Sequence, residues 1–517
     1  MKMDLPETYN AATTFVDEHV TQGRGERTAI YYRDQQFTYQ DLFEWVNRTG
    51  NALKEMEIEP EQRVLLILPD CPEFIFAFFG AIKIGAVPVP VNPWLTADDY
   101  EFLLTDSRAR LAIVHDSSLP EVEKVIDRCR DLRHIVVVGK SSERAVSFDA
   151  LVARASDHLE PEPTHKEDVA LWLYTSGSTG VPKGAVHLHR DMVTMTDLFA
   201  KPVLGMTEKD VCFSSSKLFF AYGLGNSMYF PFRFGASTVL WPERSTAQNV
   251  LEVIEKYRPT FFFSVPTMYA QILRVEKKYD LSSLQVCLSS GEALPPSLIF
   301  QCKEKFGLDL LDVVGSTEAL HDFLANRPER AKPGSSGQIT PAFEAKLVDD
   351  EGHEVPVGEI GNLLIKGDCT SPYYWNRIEE TRKNMLGEWL KTGDSYYRDE
   401  EGYYWYCGRT DDMLKVAGRW VSPVQIENIL LEHPAVLEAA VIGTADPDGL
   451  IKPETFIVLK EGHRASDSLK EEIQSLIKAK LVPYKQPRWI VFVENLPKSA
   501  AGKIQRYQLR EAKKVLS

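Results

Sequence analysis

The chain has 517 residues, too many for one hydrophobic core, so at least two domains are expected. A net charge of −15 argues against nucleic acid or an anionic membrane as the main partner, and any anionic ligand must be held by a local site. With 44% hydrophobic and 26% charged residues the chain is neither disordered nor fibrous, and seven scattered cysteines without C-x-x-C suggest no disulfide framework or zinc knuckle and fit a reducing cytoplasm.

The opening MKMDLPETYN lacks the apolar core of a signal peptide, and the most apolar stretch, FIFAFFGAIKIGAVPVPV, is broken by Lys83 and two prolines, so no membrane span is read. Strand-like runs recur at 63–69, 110–116, 134–139, 169–175, 260–265 and 285–290, with helical spacing at 97–106 and 246–257. The first 340 residues therefore read as α/β with largely parallel sheets, and function is expected at strand ends.

After residue 340 the pattern turns to antiparallel β. EAKLVDDEGHEV reads as a hairpin, followed by GNLLIKG and GYYWYCG, together a small β unit. Beyond GRTDD at 408–412 comes an α+β stretch: a helix opening at SPVQIENILLE, strands LEAAVIG and ETFIVLK, a helix near 467–480 and a strand RWIVFV. Ser422 with Gln425 three residues on, and Pro423 between, is a helix-start signal. The domains are placed at 1–408 and 409–517, with a hinge near 408–412.

The run YTSGSTGVPKG, 174–184, follows the apolar VALWLY and is rich in glycine and hydroxyls, a composition that cradles phosphate through backbone N–H groups. A P-loop would need Gly at 182 and Ser or Thr at 184, where Pro182 and Gly184 stand, and Pro182 opposes a roll into helix. A nucleophile elbow fails on spacing, and a bare flexible linker remains the plain alternative.

TSGSTGVPKG resembles the AMP-binding signature of the adenylate-forming superfamily of acyl- and aryl-CoA ligases, adenylation domains and luciferases. SSGEALP at 289–295, GSTE at 315–318, YYWN at 373–376, TGD at 392–394, GRTDDMLKVAGRWVSPVQIE at 408–427 and PKSAAGK at 497–503 match its later motifs in order. The resemblance implies a large N-terminal domain of two α/β sheet subdomains plus a small β-barrel-like subdomain, then a small mobile α+β domain. It implies ATP, Mg²⁺ and coenzyme A: a carboxylate attacks the α-phosphorus of ATP, then a thiol displaces AMP.

By that resemblance, Thr175, Ser176, Gly177, Ser178, Thr179, Gly180 and Lys183 grip the β- and γ-phosphates. Thr317 touches the α-phosphate and Glu318 holds Mg²⁺. Gly291, Glu292 and Asp312 form the adenine wall, and Asp394 and Arg409 hold the ribose. Asp411 is the hinge, about which Lys503 and then the loop from Lys415 through Gly418 to Trp420, lining a pantetheine tunnel, are presented in turn. Taken singly, each is an ordinary lysine, turn carboxylate or loop glycine.

FFAYGLGN, GSTEALH and YNAATTFVDEHV are similar to the benzoate–CoA ligase branch. Phe220 matches an aromatic gate, and Ala221, Tyr222, Gly223, Gly315 and His321 match the lining of a flat slot for an aromatic ring. Asp322 departs, standing where that branch carries an aliphatic residue. A buried carboxylate there needs a donor, from a ring hydroxyl or amino group or from Arg327, unless it protonates. The expected activity is an aryl-CoA ligase for benzoate or a hydroxy- or aminobenzoate, in a homodimer. A carrier-loading adenylation enzyme, a ligase for an alicyclic or short acyl acid, and a non-catalytic binding protein are the alternatives.

Overall fold

The computed structural model describes residues 3–140, 142–176, 181–416, 419–447, 450–498 and 504–516. A five-stranded, all-parallel sheet takes Val87–Pro90, Arg63–Ile67, Leu111–His115, His134–Val138 and Val146–Ser147 in that order. Its central strands are apolar on both faces because helices cover both sides of a parallel sheet. The two prolines of Val87–Pro90 are accommodated because that strand lies at the edge.

A nine-stranded sheet runs Gln338–Ile339, Asp322–Ala325, Leu310–Gly315, Val286–Ser289, Phe261–Ser264, Val211–Ser214, Ser237–Leu240, Thr28–Tyr32 and Gln35–Thr38. Its middle is parallel, and antiparallel strands close both ends. Threonine caps at 38, 96 and 246 pair with Asp41, Asp99 and Asn249 to start the helices Tyr39–Glu55, Ala97–Ser107 and Ala247–Tyr257.

The apolar stretch at 74–91 becomes the helix Pro72–Lys83 and the edge strand, both buried. Among the described residues no helix is long and apolar enough to cross a membrane.

Two expectations are corrected. The strand Val169–Ser176 belongs to neither parallel sheet; it pairs antiparallel with Pro182–Leu188. The connection between them is too short for the crossover that a parallel pair needs. EAKLVDDEGHEV is not a simple hairpin: Glu344–Val348 pairs with Gly361–Lys366, and a single bridge joins Val348 to Glu354.

The third sheet adds Trp389–Arg398 and Tyr404–Arg409. Residues 414 to 490 gather a core of their own around Val421, Ile426, Val441, Ile457 and Ile473. Here Ser422 Oγ accepts the Gln425 N–H at 3.0 Å and opens the helix Pro423–Leu431, while the Gln425 side chain turns to Lys485 instead of completing a capping box.

Two buried histidines fasten the N-terminal segment. The Ala11 N–H donates to His189 Nδ1 at 3.1 Å, and Arg24 Nε donates to His19 Nδ1 at 3.0 Å, so both rings must be neutral at that nitrogen. Burial pushes each imidazole down from 6.5 to about 4. Their contribution to stability is therefore present above pH 6.5 and lost as pH falls through about 4, up to about 3 kcal/mol each. Urea unfolding from pH 7 to 4 should show this loss, and His189→Gln should flatten the slope by close to one proton.

Candidate functional site

The hairpin Val169–Ser176/Pro182–Leu188 sets Thr175 opposite Lys183 and the Ser176 backbone opposite Pro182. Gly177, Ser178, Thr179 and Gly180, which the resemblance assigns to phosphate, lie outside the described residues. Lys183 is buried, its ammonium 5.5 Å from the Tyr374 ring centroid. The free edge of Pro182–Leu188 receives YYWN: Ala185 bridges Tyr374, and the Trp375 N–H donates to the Gly184 carbonyl at 2.8 Å. Asp106 anchors the same segment, accepting from Tyr174 Oη at 2.8 Å and Arg377 Nη2 at 3.1 Å, while its carbonyl accepts from Trp375 Nε1 at 2.8 Å.

Tyr374 Oη donates to Glu318 Oε1 at 2.7 Å, so two motifs far apart in sequence meet at one carboxylate. Burial and the adjacent Glu318 push the Tyr374 phenol upward, which keeps it a neutral donor. A hard cation held by one oriented carboxylate plus phosphate oxygens fits this arrangement.

The turn carrying Thr317 and Glu318 is fixed from below. His187 Nε2 donates to the Thr317 carbonyl at 2.8 Å, and His187 Nδ1 lies 3.1 Å from Asp191 Oδ2, which also accepts the Leu188 N–H. Both side chains are fully buried. Burial raises the Asp191 carboxyl, and the His187 ring beside it opposes that rise.

Among the residues that the resemblance assigns to the adenine wall, Gly291 takes φ +84°, a left-handed conformation that favours glycine, and Glu292 accepts from Thr267 Oγ1 at 2.8 Å. Asp312 is buried beside Ser289, and burial pushes its carboxyl well up. Its Oδ1 is buried without a hydrogen-bond partner, an acceptor suited to an exocyclic amino group. Asp394 and Arg409 face each other across Trp389–Arg398 and Tyr404–Arg409, with Arg409 Nη1 3.2 Å from both Asp394 Oδ1 and the Thr392 carbonyl.

Asp411 is exposed in the turn Thr410–Asp412, whose last residue accepts from Arg510 Nη1 at 2.8 Å. Lys415 pairs with Trp420 across a short hairpin, its ammonium 5.2 Å from that ring. Gly418 and Lys503 lie outside the described residues.

In the segment 221–234, where the resemblance places the acid pocket, the helix Ala221–Leu224 widens into a π-helical turn, Gly225–Tyr229, before Phe230–Phe234. Such turns recur at functional sites. Phe220 is half-exposed and packs on Phe219 at 4.5 Å, while Ala221 is half-buried. His321 is buried among Phe230 at 4.4 Å, Tyr222 at 5.4 Å and Phe199 at 5.8 Å. Asp322 is buried too, and its near neighbours are Ser290 and His321 rather than Arg327.

Gly223 is small for another reason than the slot, since a Cβ there would collide with the Lys217 carbonyl. Gly225, which sequence reasoning passed over, is the residue whose Cβ would strike the His321 ring. His187 and Asp191 were also missed, although HLHRD carries them four residues apart at a helix start.

A turn-held carboxylate beside a phosphate-type hairpin, with a ribose-type Asp–Arg pair on a third sheet, is the plan of an adenylate-forming enzyme. The chain belongs to the AMP-binding enzyme family, whose model matches residues 16–375, with the AMP-binding enzyme C-terminal domain matching 425–503. It is 45% identical to a benzoate–CoA ligase of Thauera aromatica over 98% of this chain and 97% of that protein. Among solved structures it is similar to the anthranilate CoA ligase AuaEII in complex with anthranoyl-AMP, at TM-score 0.94 and 43% identity, covering 100% of this chain and 99% of the other. A benzoate CoA ligase from Burkholderia xenovorans LB400 follows at TM-score 0.88 and 41% identity, covering 97% and 100%.

Tyr374→Phe removes the hydroxyl that donates to Glu318 Oε1. It should raise the Mg²⁺ concentration needed for half-maximal rate by roughly 10-fold, measured at saturating ATP. A change in melting temperature alone would make Tyr374 a packing residue.

Proposed function

We propose that this protein is an aryl-CoA ligase, converting ATP, an aromatic acid of the benzoate type and coenzyme A to aryl-CoA, AMP and pyrophosphate. The observation that carries this reading is the meeting of Lys183, Tyr374, Glu318 and the Thr317 turn on one strand edge, with an aromatic-lined segment at 220–230 beside the same turn through His321. The relatives named for benzoate and anthranilate support the same acid class.

The acid's carboxylate attacks the α-phosphorus and pyrophosphate leaves; the thiol then attacks the acyl carbon and AMP leaves. Negative charge grows on phosphate oxygens in the first step, so fixed donors matter more than a base. Thr175, Lys183 and the intervening loop grip the β- and γ-phosphates, and Thr317 meets the α-phosphate. Asp394 accepts from the ribose hydroxyls, and Asp312 Oδ1 accepts from the adenine amino group. Glu318 would hold Mg²⁺, whose charge would offset that of the phosphates.

Lys503 serves the first step. A turn about Asp411 then exchanges it for the 415–420 loop, with 1–408 and 409–517 as the moving units. Seven cysteines, all buried and none in a disulfide, support a cytosolic location. The benzoate-like sequence supports a homodimer.

Pyrophosphate release with benzoate, ATP and Mg²⁺, followed by consumption of CoA, tests the reading. Lys503→Ala should slow the first half-reaction by roughly 100-fold or more, and cyclohexene carboxylate and fatty acids should be poor substrates. Pyrophosphate release without CoA consumption would instead indicate transfer to another thiol.

A further inference from the structure

We propose that Asp322, together with His321, reads a hydrogen-bond donor on the ring of the acid, so that the preferred substrate carries an amino or hydroxyl substituent. This rests on the aryl-CoA ligase reading and names what its acid pocket selects.

Four elements meet at one place: the start of the strand Asp322–Ala325, the turn before it, the segment after Val286–Ser289 and the π-helical turn Gly225–Tyr229. Asp322 Oδ1 accepts from Ser290 Oγ at 3.2 Å. His321 Nε2 lies 3.2 Å from the Tyr222 carbonyl and 3.1 Å from Asn226 Oδ1, both acceptors, so this nitrogen carries the proton. His321 Nδ1, an acceptor in that tautomer, then stands 3.0 Å from Asp322 Oδ2 without a hydrogen bond between them.

Here Tyr222 Oη, Asn226 Nδ2, His321 Nδ1 and Asp322 Oδ2 are all buried, and none makes an aligned hydrogen bond. An orphaned buried polar atom keeps its desolvation cost with no hydrogen bond to offset it, and folded proteins tolerate few of them. Their clustering around one carboxylate argues for a ligand that satisfies them.

The His187–Asp191 pair differs at its ring, although Asp191 Oδ1 also lacks an aligned partner and has only the Arg190 guanidinium 3.9 Å away. That buried pair has both ring nitrogens facing partners and a backbone N–H on the carboxylate.

Gly315 and Gly225 bring the chain close: a Cβ at 315 would approach Asp322 Oδ1 to 2.7 Å, and one at 225 would strike His321. Unsubstituted benzoate offers this cluster only C–H edges. A ring amino group donates to Asp322 Oδ2 with a second hydrogen to spare. A ring hydroxyl donates to the same oxygen and accepts from Asn226 Nδ2 or Tyr222 Oη. No proton is transferred; the substituent is held by hydrogen bonds.

The test is kcat/KM for benzoate and for the 2-, 3- and 4-amino- and hydroxybenzoates, read as pyrophosphate release by the wild-type protein and by Asp322→Val. At least one substituted acid should exceed benzoate by about 10-fold, and the variant should lower that acid's ratio to benzoate by roughly 10- to 100-fold. The best isomer tells amino from hydroxyl. Near-equal values across the panel, or a ratio unchanged by the substitution, would overturn the inference. Should Asp322→Val not fold, Asp322→Asn read by the same ratio, with the wild-type ranking, decides it. Failure of every aromatic acid to release pyrophosphate would sink the aryl reading itself; turnover indifferent to ring substituents would sink only this one.

Discussion

The hydrogen bond from His187 to the Thr317 carbonyl joins the two parts of the molecule whose spacing everything else requires. Successive strand residues alternate faces, so Lys183 and His187 of Pro182–Leu188 share one face. One of them lies over Tyr374 and the other holds the Thr317 turn. Tyr374 returns to Glu318 in that same turn, closing a loop of contacts through three segments. A single strand thus sets the spacing between Lys183 and the turn that carries Glu318.

The chain carries a net charge of −15 and yet belongs to a family that handles a polyanion. Its answer is local. Around the site, burial pushes carboxyls toward the neutral acid, as with Asp191 and Asp312. Lys183 is held against an aromatic ring, and Arg409 is matched to Asp394. The two His–Asp pairs show how one chemical couple serves two ends. At 187 and 191 both ring nitrogens face protein oxygens, and the Thr317 turn is fixed; at 321 and 322 a ring nitrogen and the carboxylate oxygen opposite it lack aligned partners, which the proposed ring substituent would satisfy.

Much of the fold was legible because strand and helix periods are local. All six strand-like runs named from sequence are strands, and the helices at 97–106 and 246–257 begin at threonine caps written in the sequence. The hairpin at 169–188 was misread as part of a parallel sheet because alternation of apolar residues carries no information about a strand's partner. Pairing of Glu344–Val348 with Gly361–Lys366 was hidden for the same reason. In the site, motif residues such as Glu318 and Asp394 stood out, whereas Asp106, His187 and Gly225 did not, since each acts through a partner distant in sequence.

By itself the amino-acid sequence determined the family, the order of the motifs and the presence of an uncommon carboxylate at 322, because these depend on residue types at fixed local spacings. Only the tertiary structure decided which groups face one another: that Tyr374 orients Glu318, that Asp191 backs His187, and that Asp322 keeps an oxygen without an aligned partner. Hydrogen bonds are directional and short, so whether a buried polar atom is satisfied is a matter of where the chain brings its neighbours.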